Sequence, residues 1–382
     1  MKEYFYKTEY VFLYLSKFFY AFANSFIEIF GVVMLYKNGM PLPMILLIYG
    51  LRFGIMGICS PLFLKISHRY GVASCALISN LLRVVGTFMI LYGEFNNVIL
   101  FLFVISLPGA IANPIEDAIS SKYVETKHRG RYNSIRNIAR ILGEFLASIV
   151  VAWGVITKNN VLLVLVVSIF FLLDYLFTAI IDYKPQVPVE NIVRKTIHYI
   201  MKNKSDFKII YSLRTAHIIE RLFVPLYLYL ALQDFVAFST VISISRLIQI
   251  VTVMITGKFT DKNSQKTNKI VSFIKIIITS MYLFIKDKFI LSVNKAISDN
   301  FEKVYETSIQ TSIQNIIKDS EEEDAVLATV GQMSLCFTEL VVFFILFVLS
   351  LYMQEKIFYI IFLLSILATM GISIKVNKKT EV

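Results

Sequence analysis

Apolar residues run in blocks of roughly twenty along most of the chain, with short polar stretches between them. The block Ile357–Ile374 holds 18 residues without a charge, close to the ~20 a helix needs to cross the hydrocarbon of a bilayer. Comparable blocks predict twelve membrane-spanning helices, at 9–36, 41–64, 72–92, 98–120, 133–157, 160–182, 207–231, 236–257, 270–286, 289–316, 325–353 and 357–374. Transmembrane β-strands would show short segments of alternating polarity instead.

The longest polar interruption runs from Asp182 to Lys208, where Pro185 and Pro188 separate it from span 6. Between Val189 and Met201, the residues Val193, Ile197, Ile200 and Met201 share one helical stripe, with Arg194, Lys195 and Lys202 off it. That suits an amphipathic helix on the inner leaflet, its basic side toward anionic headgroups; a solvated linker accounts for it equally well. The division is therefore an N-terminal six-helix bundle (1–183), a cytoplasmic linker (184–206), a C-terminal six-helix bundle (207–376) and a cytoplasmic tail (377–382). A shift of 192 to 195 residues superposes Glu28 on Glu220, Arg52 on Arg246 and Glu144 on Glu339. Charges inside spans are rare, so three coincidences at nearly one offset indicate a duplication. The fold class is all-α integral membrane: two pseudo-symmetric six-helix bundles around a central cavity, a plan many transporters share.

Composition agrees. Of 382 residues 57% are hydrophobic and 17% charged, too few for a soluble surface. The net charge of +11 is unevenly placed: inner segments hold about 21 Lys and Arg and outer loops about four, if the N-terminus is cytoplasmic. Such an excess orients a multi-pass protein in the plasma (inner) membrane with both termini cytoplasmic; it is not a nucleic-acid footprint. The N-terminus lacks a short apolar core with a cleavage site, so a removed signal peptide is not expected. Cys59, Cys75 and Cys336 sit alone in apolar stretches and read as small hydrophobes. His68, His128, His198 and His217 lack ligand spacing, so no metal site and no cofactor are expected.

The stretch after span 8, "GKFTDKNSQK", carries Gly257, Asp261, Lys262 and Lys266, and it resembles the signature loop of the major facilitator superfamily. Ser264 stands at that motif's second glycine. Its counterpart after span 2, "LKISHRYG", keeps Arg69 and Gly71, with Leu64 and His68 in the glycine and aspartate places. Span 5, "ARILGEFLAS", looks like the superfamily's exporter pattern, with Ala139, Gly143, Ala147 and Ser148 at the small positions and Glu144 in place of proline. Span 4, "SLPGAIANPIEDAISSKYV", has the cadence of drug and siderophore exporters. The resemblance implies that spans 1, 4, 7 and 10 line the cavity. It also implies that spans 2 and 11, and spans 5 and 8, meet between the halves, with the loops holding Arg69, Gly71, Gly257, Asp261 and Lys262 gating the motion.

Sorted on that map, Arg52 would pair with Glu339 and Arg246 with Glu144 across the two interfaces, because an unpaired buried charge is costly. Arg83, Arg136 and Arg140 would snorkel or cap. The cavity helices offer Asn24 and Glu28; Asn113, Glu116 and Asp117; Glu220 and Arg221; and Asp299, Glu302, Lys303, Glu306 and Gln310. The last five form one stripe at helical spacing, extended by Gln314. In lipid each charge would cost about 2.5–3.5 kcal/mol, so the stripe must face water or protein partners. Local pairs, such as Asp299 with Lys303, are the bland explanation of each residue. With acids in excess, these positions predict a cavity for cations in which carboxyls exchange protons. The expected function is proton-coupled export of a cationic or amphipathic small molecule by a monomeric antiporter. Proton-coupled uptake of a nutrient or peptide, or a non-transporting scaffold or immunity protein of the same fold, are the alternatives. No nucleophile–base pair or phosphate-binding glycine loop points to catalysis.

Overall fold

A computed structural model describes residues 8–93, 97–123, 129–180, 206–262, 264–318 and 324–378. Among them the chain is helical throughout, with short turns between helices and no strand. In order these are α1 (Thr8–Glu28), α2 (Gly31–Lys37), α3 (Leu42–Tyr92), α4 (Val98–Tyr123), α5 (Arg129–Thr157) and α6 (Asn160–Ile180). The second half continues with α7 (Asp206–Leu232), α8 (Phe235–Lys262), α9 (Ser264–Met281), α10 (Lys288–Lys318), α11 (Asp324–Met353) and α12 (Ile357–Lys378).

Local chemistry sets the starts of these helices. The side chains of Asn97, Asn159, Asp234 and Asp287 accept from the backbone N–H of Leu100, Leu162, Val236 and Ile290 at 3.0, 3.0, 2.8 and 2.9 Å. Each satisfies a donor that the first helical turn would leave without a partner. Extended Pro41 precedes α3. The 51 residues of α3 are two helices end to end, parted at Gly71, whose φ of 81° and ψ of 163° are a conformation that favours glycine. Left-handed Lys158 and Gln233 close the turns after α5 and α7.

Seven segments among the described residues are long and apolar enough to cross a membrane: 10–37, 42–92, 132–157, 160–180, 212–232, 235–254 and 329–374. Two of them, at 51 and 46 residues, exceed twice the ~20 that one crossing requires. Segment α10 is not among them, since it carries five charges between Lys295 and Glu306. Apolar side chains stand exposed along outer faces, as at Leu165, Ile169, Leu172 and Leu176 of α6 and at Leu363 and Leu367 of α12. The polar groups turn inward. That inversion is what a lipid solvent selects.

Helix α3 lies along α11, and α5 along both α8 and α1. A Cβ on Gly50 would sit 2.9 Å from that of Phe343, and one on Gly143 would meet the Phe18 carbonyl and stand 2.8 Å from the Phe22 nitrogen. Only residues without a side chain allow approaches this close. At one end, rings from both halves of the chain meet: Phe30 contacts Phe235 and Phe238, and Tyr229 packs on the same pair. Tyr49, Phe223 and Phe343 form a second group of rings. The 184–206 linker lies outside the described residues except for Asp206, and so does the amphipathic segment Val189–Met201.

Two local expectations change. The "GKFTDKNSQK" stretch is not a loop up to Lys262: α8 continues through Gly257, Asp261 and Lys262, because a single helical glycine does not stop a helix. Similarly, α3 stays helical past Arg69, which is exposed over the Tyr70 ring, and breaks only at Gly71.

Candidate substrate cavity

Helices α1, α5, α7, α10 and α11 enclose a cavity of about 170 Å³. Its charged lining is Lys17, Glu28, Arg136, Arg140, Glu144, Arg214, Arg221, Glu302 and Glu306, with Asn24, His217 and Gln332 among the neutral polar groups. Five cations therefore face four carboxylates. Each of those carboxylates is already held by a cation.

Glu28 of α1 meets Arg221 of α7 at 3.1 Å, a contact between the two halves of the chain. Glu306 of α10 accepts from Arg140 of α5 at 3.1 Å and from Lys303, one turn away, at 2.9 Å. Glu144 is bound by Arg140 at 2.8 Å and by Arg246 of α8 at 2.8 Å. Arg246 in turn reaches Asp299 of α10 at 3.3 Å, and Asp299 also takes Lys295 and the Ser245 hydroxyl. The result is a continuous chain of seven charges, from Lys295 through Asp299, Arg246, Glu144, Arg140 and Glu306 to Lys303. It has four cations and three anions and ties α5, α8 and α10 together.

Glu302 contacts the buried ammonium of Lys275, from α9. Lys275 also lies 3.2 Å from Glu220, which accepts from Ser365 of α12 and has His217 Nδ1 at 3.8 Å. His217, Glu220 and Glu302 bring ligand-type atoms within 4.8 Å of one another. His217 and Glu220 lie one turn apart on α7 and meet Glu302 of α10, and the Lys275 ammonium contacts both carboxylates.

Measured against the sequence-based expectations, the α10 stripe divides. Glu302 and Glu306 line the cavity, whereas Asp299 and Lys303 are buried against protein. Asp299 takes Lys295 and not Lys303, because Lys303 is drawn to Glu306. Glu220 likewise turns away from Arg221, toward Lys275. The side chains of Asn113, Glu116, Asp117, Gln310, Asp261 and Lys262 lie outside the described residues, as do the surroundings of Gly257. Arg246 and Glu144 are in contact; Arg52 and Glu339 are not. Arg52 donates instead to the Ile105 carbonyl at 3.0 Å. Arg83 and Arg140 neither snorkel nor cap. Arg83 is buried, donating to the Tyr20 hydroxyl at 3.1 Å and the Asn80 side chain at 3.2 Å, while Asn80 and Ser16 hold Asp174. Lys275 and Asp174 went unselected by pattern, although a lone charge inside an apolar block was a usable signal.

The family model described as Major Facilitator Superfamily matches residues 13–293. No curated protein sequence matches. Among solved structures, a bacterial homologue of the iron transporter ferroportin, in an outward-facing state with soaked iron, aligns at TM-score 0.66 and 12% identity over 97% of this chain and 98% of its own. The human organic anion transporter MFSD10 (TETRAN) aligns at 0.64 and 11% identity over 95% and 98%. The transporter FucP in the outward conformation aligns at 0.68 and 10% identity over 99% and 100%. Identities this low speak to the fold alone.

Proposed function

Because this chain belongs to the Major Facilitator Superfamily and is a multi-pass membrane protein, we propose that it is a secondary transporter working by alternating access on a small substrate with an anionic group. The observation that carries the substrate class is the charge inventory of the 170 Å³ cavity, with five cations against four carboxylates that are each already neutralised. A cationic substrate, the class that the sequence pattern favours, would have to break one of these ion pairs to find a free anion. An anion, or an amphipathic acid, would meet a lining in which cations outnumber carboxylates and four of the five cations are guanidinium groups, whose shape suits bidentate carboxylate recognition. The reading keeps twelve spans in two six-helix bundles and a plasma-membrane location with cytoplasmic termini, on the strength of the hydropathy and Lys/Arg pattern. Proton-coupled export rests on the exporter-like spans 4 and 5.

The test is a thermal-shift screen of the purified full-length protein against aromatic and aliphatic carboxylates and against quaternary ammonium compounds of matched size. Uptake of the stabilising compounds into proteoliposomes, under pH gradients of either polarity, then follows. Stabilisation by carboxylates and gradient-driven flux are the expected outcomes. Stabilisation by ammonium compounds alone refutes the substrate class, and absence of any flux refutes transport.

A further inference from the structure

Among the described residues, every carboxylate inside the helix assembly has a donor within reach except one. Glu339, midway along α11, is fully buried, and neither of its carboxyl oxygens has a hydrogen-bond partner. It lines a second cavity, of about 60 Å³, together with Arg52 of α3. Arg52 is held off: its Nε donates to the Ile105 carbonyl at 3.0 Å, and its guanidinium carbon lies 5.4 and 5.5 Å from the Tyr49 and Phe53 ring centres. At the α5–α8 seam the corresponding acid and base, Glu144 and Arg246, touch at 2.8 Å. One seam thus has its ion pair made, and the other has acid and base facing one cavity but apart.

A carboxylate stripped of water and left without a partner would rather be neutral. We propose that Glu339 is a protonation site, occupied in this conformation, and that Arg52 displaces its proton when the α3–α11 seam rearranges. In that step the guanidinium leaves the Ile105 carbonyl and approaches Glu339. The carboxyl O–H bond breaks with its electron pair left on oxygen, the proton passes to water in the cavity, and a carboxylate–guanidinium pair forms. A cavity of this size has room for a few waters, since each needs only ~10–15 Å³. The other charged or titratable groups facing it are Tyr20 and Glu28 of α1, Arg83 of α3 and Arg221 of α7. Arg214 of α7 adds a positive charge to the field at Glu339 from outside this cavity, and Cys336 lies one turn before Glu339 on α11. From α4 the cavity receives only Ile105, Pro108 and Gly109. Arg221 is engaged by Glu28, and Arg83 by Tyr20, Asn80 and the Pro108 carbonyl, which leaves Arg52 as the base placed to meet Glu339.

As a coupling site the assignment rests on the transport reading above; as a proton-bearing carboxyl it does not, and the experiment addresses the latter. Infrared spectra of the purified full-length protein are recorded across a pH titration for the wild type, Glu339→Gln, Glu28→Gln and Arg52→Gln. The expected result is a protonated-carboxyl C=O band at neutral pH that disappears in E339Q and persists in E28Q. In R52Q, which lacks the displacing cation, that band should survive to a pH higher by about one unit, a tenfold change in proton affinity. Superimposable wild-type and E339Q spectra overturn the site. An R52Q titration matching the wild type overturns the switch. If E339Q is not recovered folded, the wild-type titration decides alone: no such band at neutral pH refutes the inference, whatever the flux assay shows.

Discussion

Removing Arg246 or Glu144 tests the seven-charge chain where it joins α5 to α8. Both side chains are buried, at 5% and 4% exposure, and their atoms meet at 2.8 Å. Breaking a buried pair by deleting one partner costs about 3–5 kcal/mol when the survivor is abandoned. Neither survivor is abandoned here: Glu144 keeps Arg140, and Arg246 keeps Asp299. Arg246→Met and Glu144→Gln are therefore expected to cost about 2–3 kcal/mol each, below that range. The double variant leaves Arg140 with Glu306 and Asp299 with Lys295, so it should cost little more than either single change. The resulting coupling energy is about 2 kcal/mol. Thermal unfolding of the purified protein in detergent is the assay, with each single variant lowered by roughly 2–4 °C, the shift expected for a chain of this length. Exchanging the two charges is expected to fail as a rescue. An arginine at position 144 would sit beside Arg140, and a glutamate at position 246 would face Asp299. Strictly additive single variants, or a charge-exchanged protein more stable than E144Q/R246M, would show that these residues do not form the linked chain described above.

Three further outcomes follow from other contacts. Lys275→Met leaves buried Glu220 and cavity-facing Glu302 without their cation and should cost about 3 kcal/mol, the low end for a broken buried pair, with much of it recovered in K275M/E302Q; equal melting temperatures for the two variants would contradict that. Gly143→Ala drives a methyl group against α1 backbone and should cost about 1–3 kcal/mol. Gly154→Ala has side-chain atoms of Leu163, and no backbone, as its nearest neighbours, so a larger loss there than at Gly143 in parallel melts would invert the argument. Arg221→Gln breaks a partly exposed contact with Glu28 and should lower stability by no more than about 1 kcal/mol while reducing flux severalfold; unchanged flux would remove this pair from the transport cycle.

Much of the helical framework was readable from local rules. Spans placed by hydropathy at 98, 160, 236 and 289 begin within two residues of the capping Asn97, Asn159, Asp234 and Asp287. The interior charges were visible as a set, but their partners were not. Asp299 has a lysine one turn away on either side, Lys295 and Lys303, and helical spacing cannot choose between them. The choice is made by Glu306 and Arg140, the latter from a helix more than 150 positions away in sequence. The excess of acids expected on four spans gives way in the assembled cavity: Arg136 and Arg140 enter from α5, outside those spans, and Lys17 and Arg214 of α1 and α7 add to Arg221. Arg52 shows the converse, an expected partner lost to a backbone carbonyl.

The two kinds of contact between the halves also answer to different physical variables. The ring cluster of Phe30, Tyr229, Phe235 and Phe238 holds by burial of apolar area, a force that is entropic near room temperature and fades on cooling. The charged seam is sheltered from solvent and so responds little to added salt. A chilled sample should thus loosen at its aromatic end first while the α5–α8 seam stays shut, so that on the transport reading temperature, and not ionic strength, is the handle for shifting this protein toward another conformation.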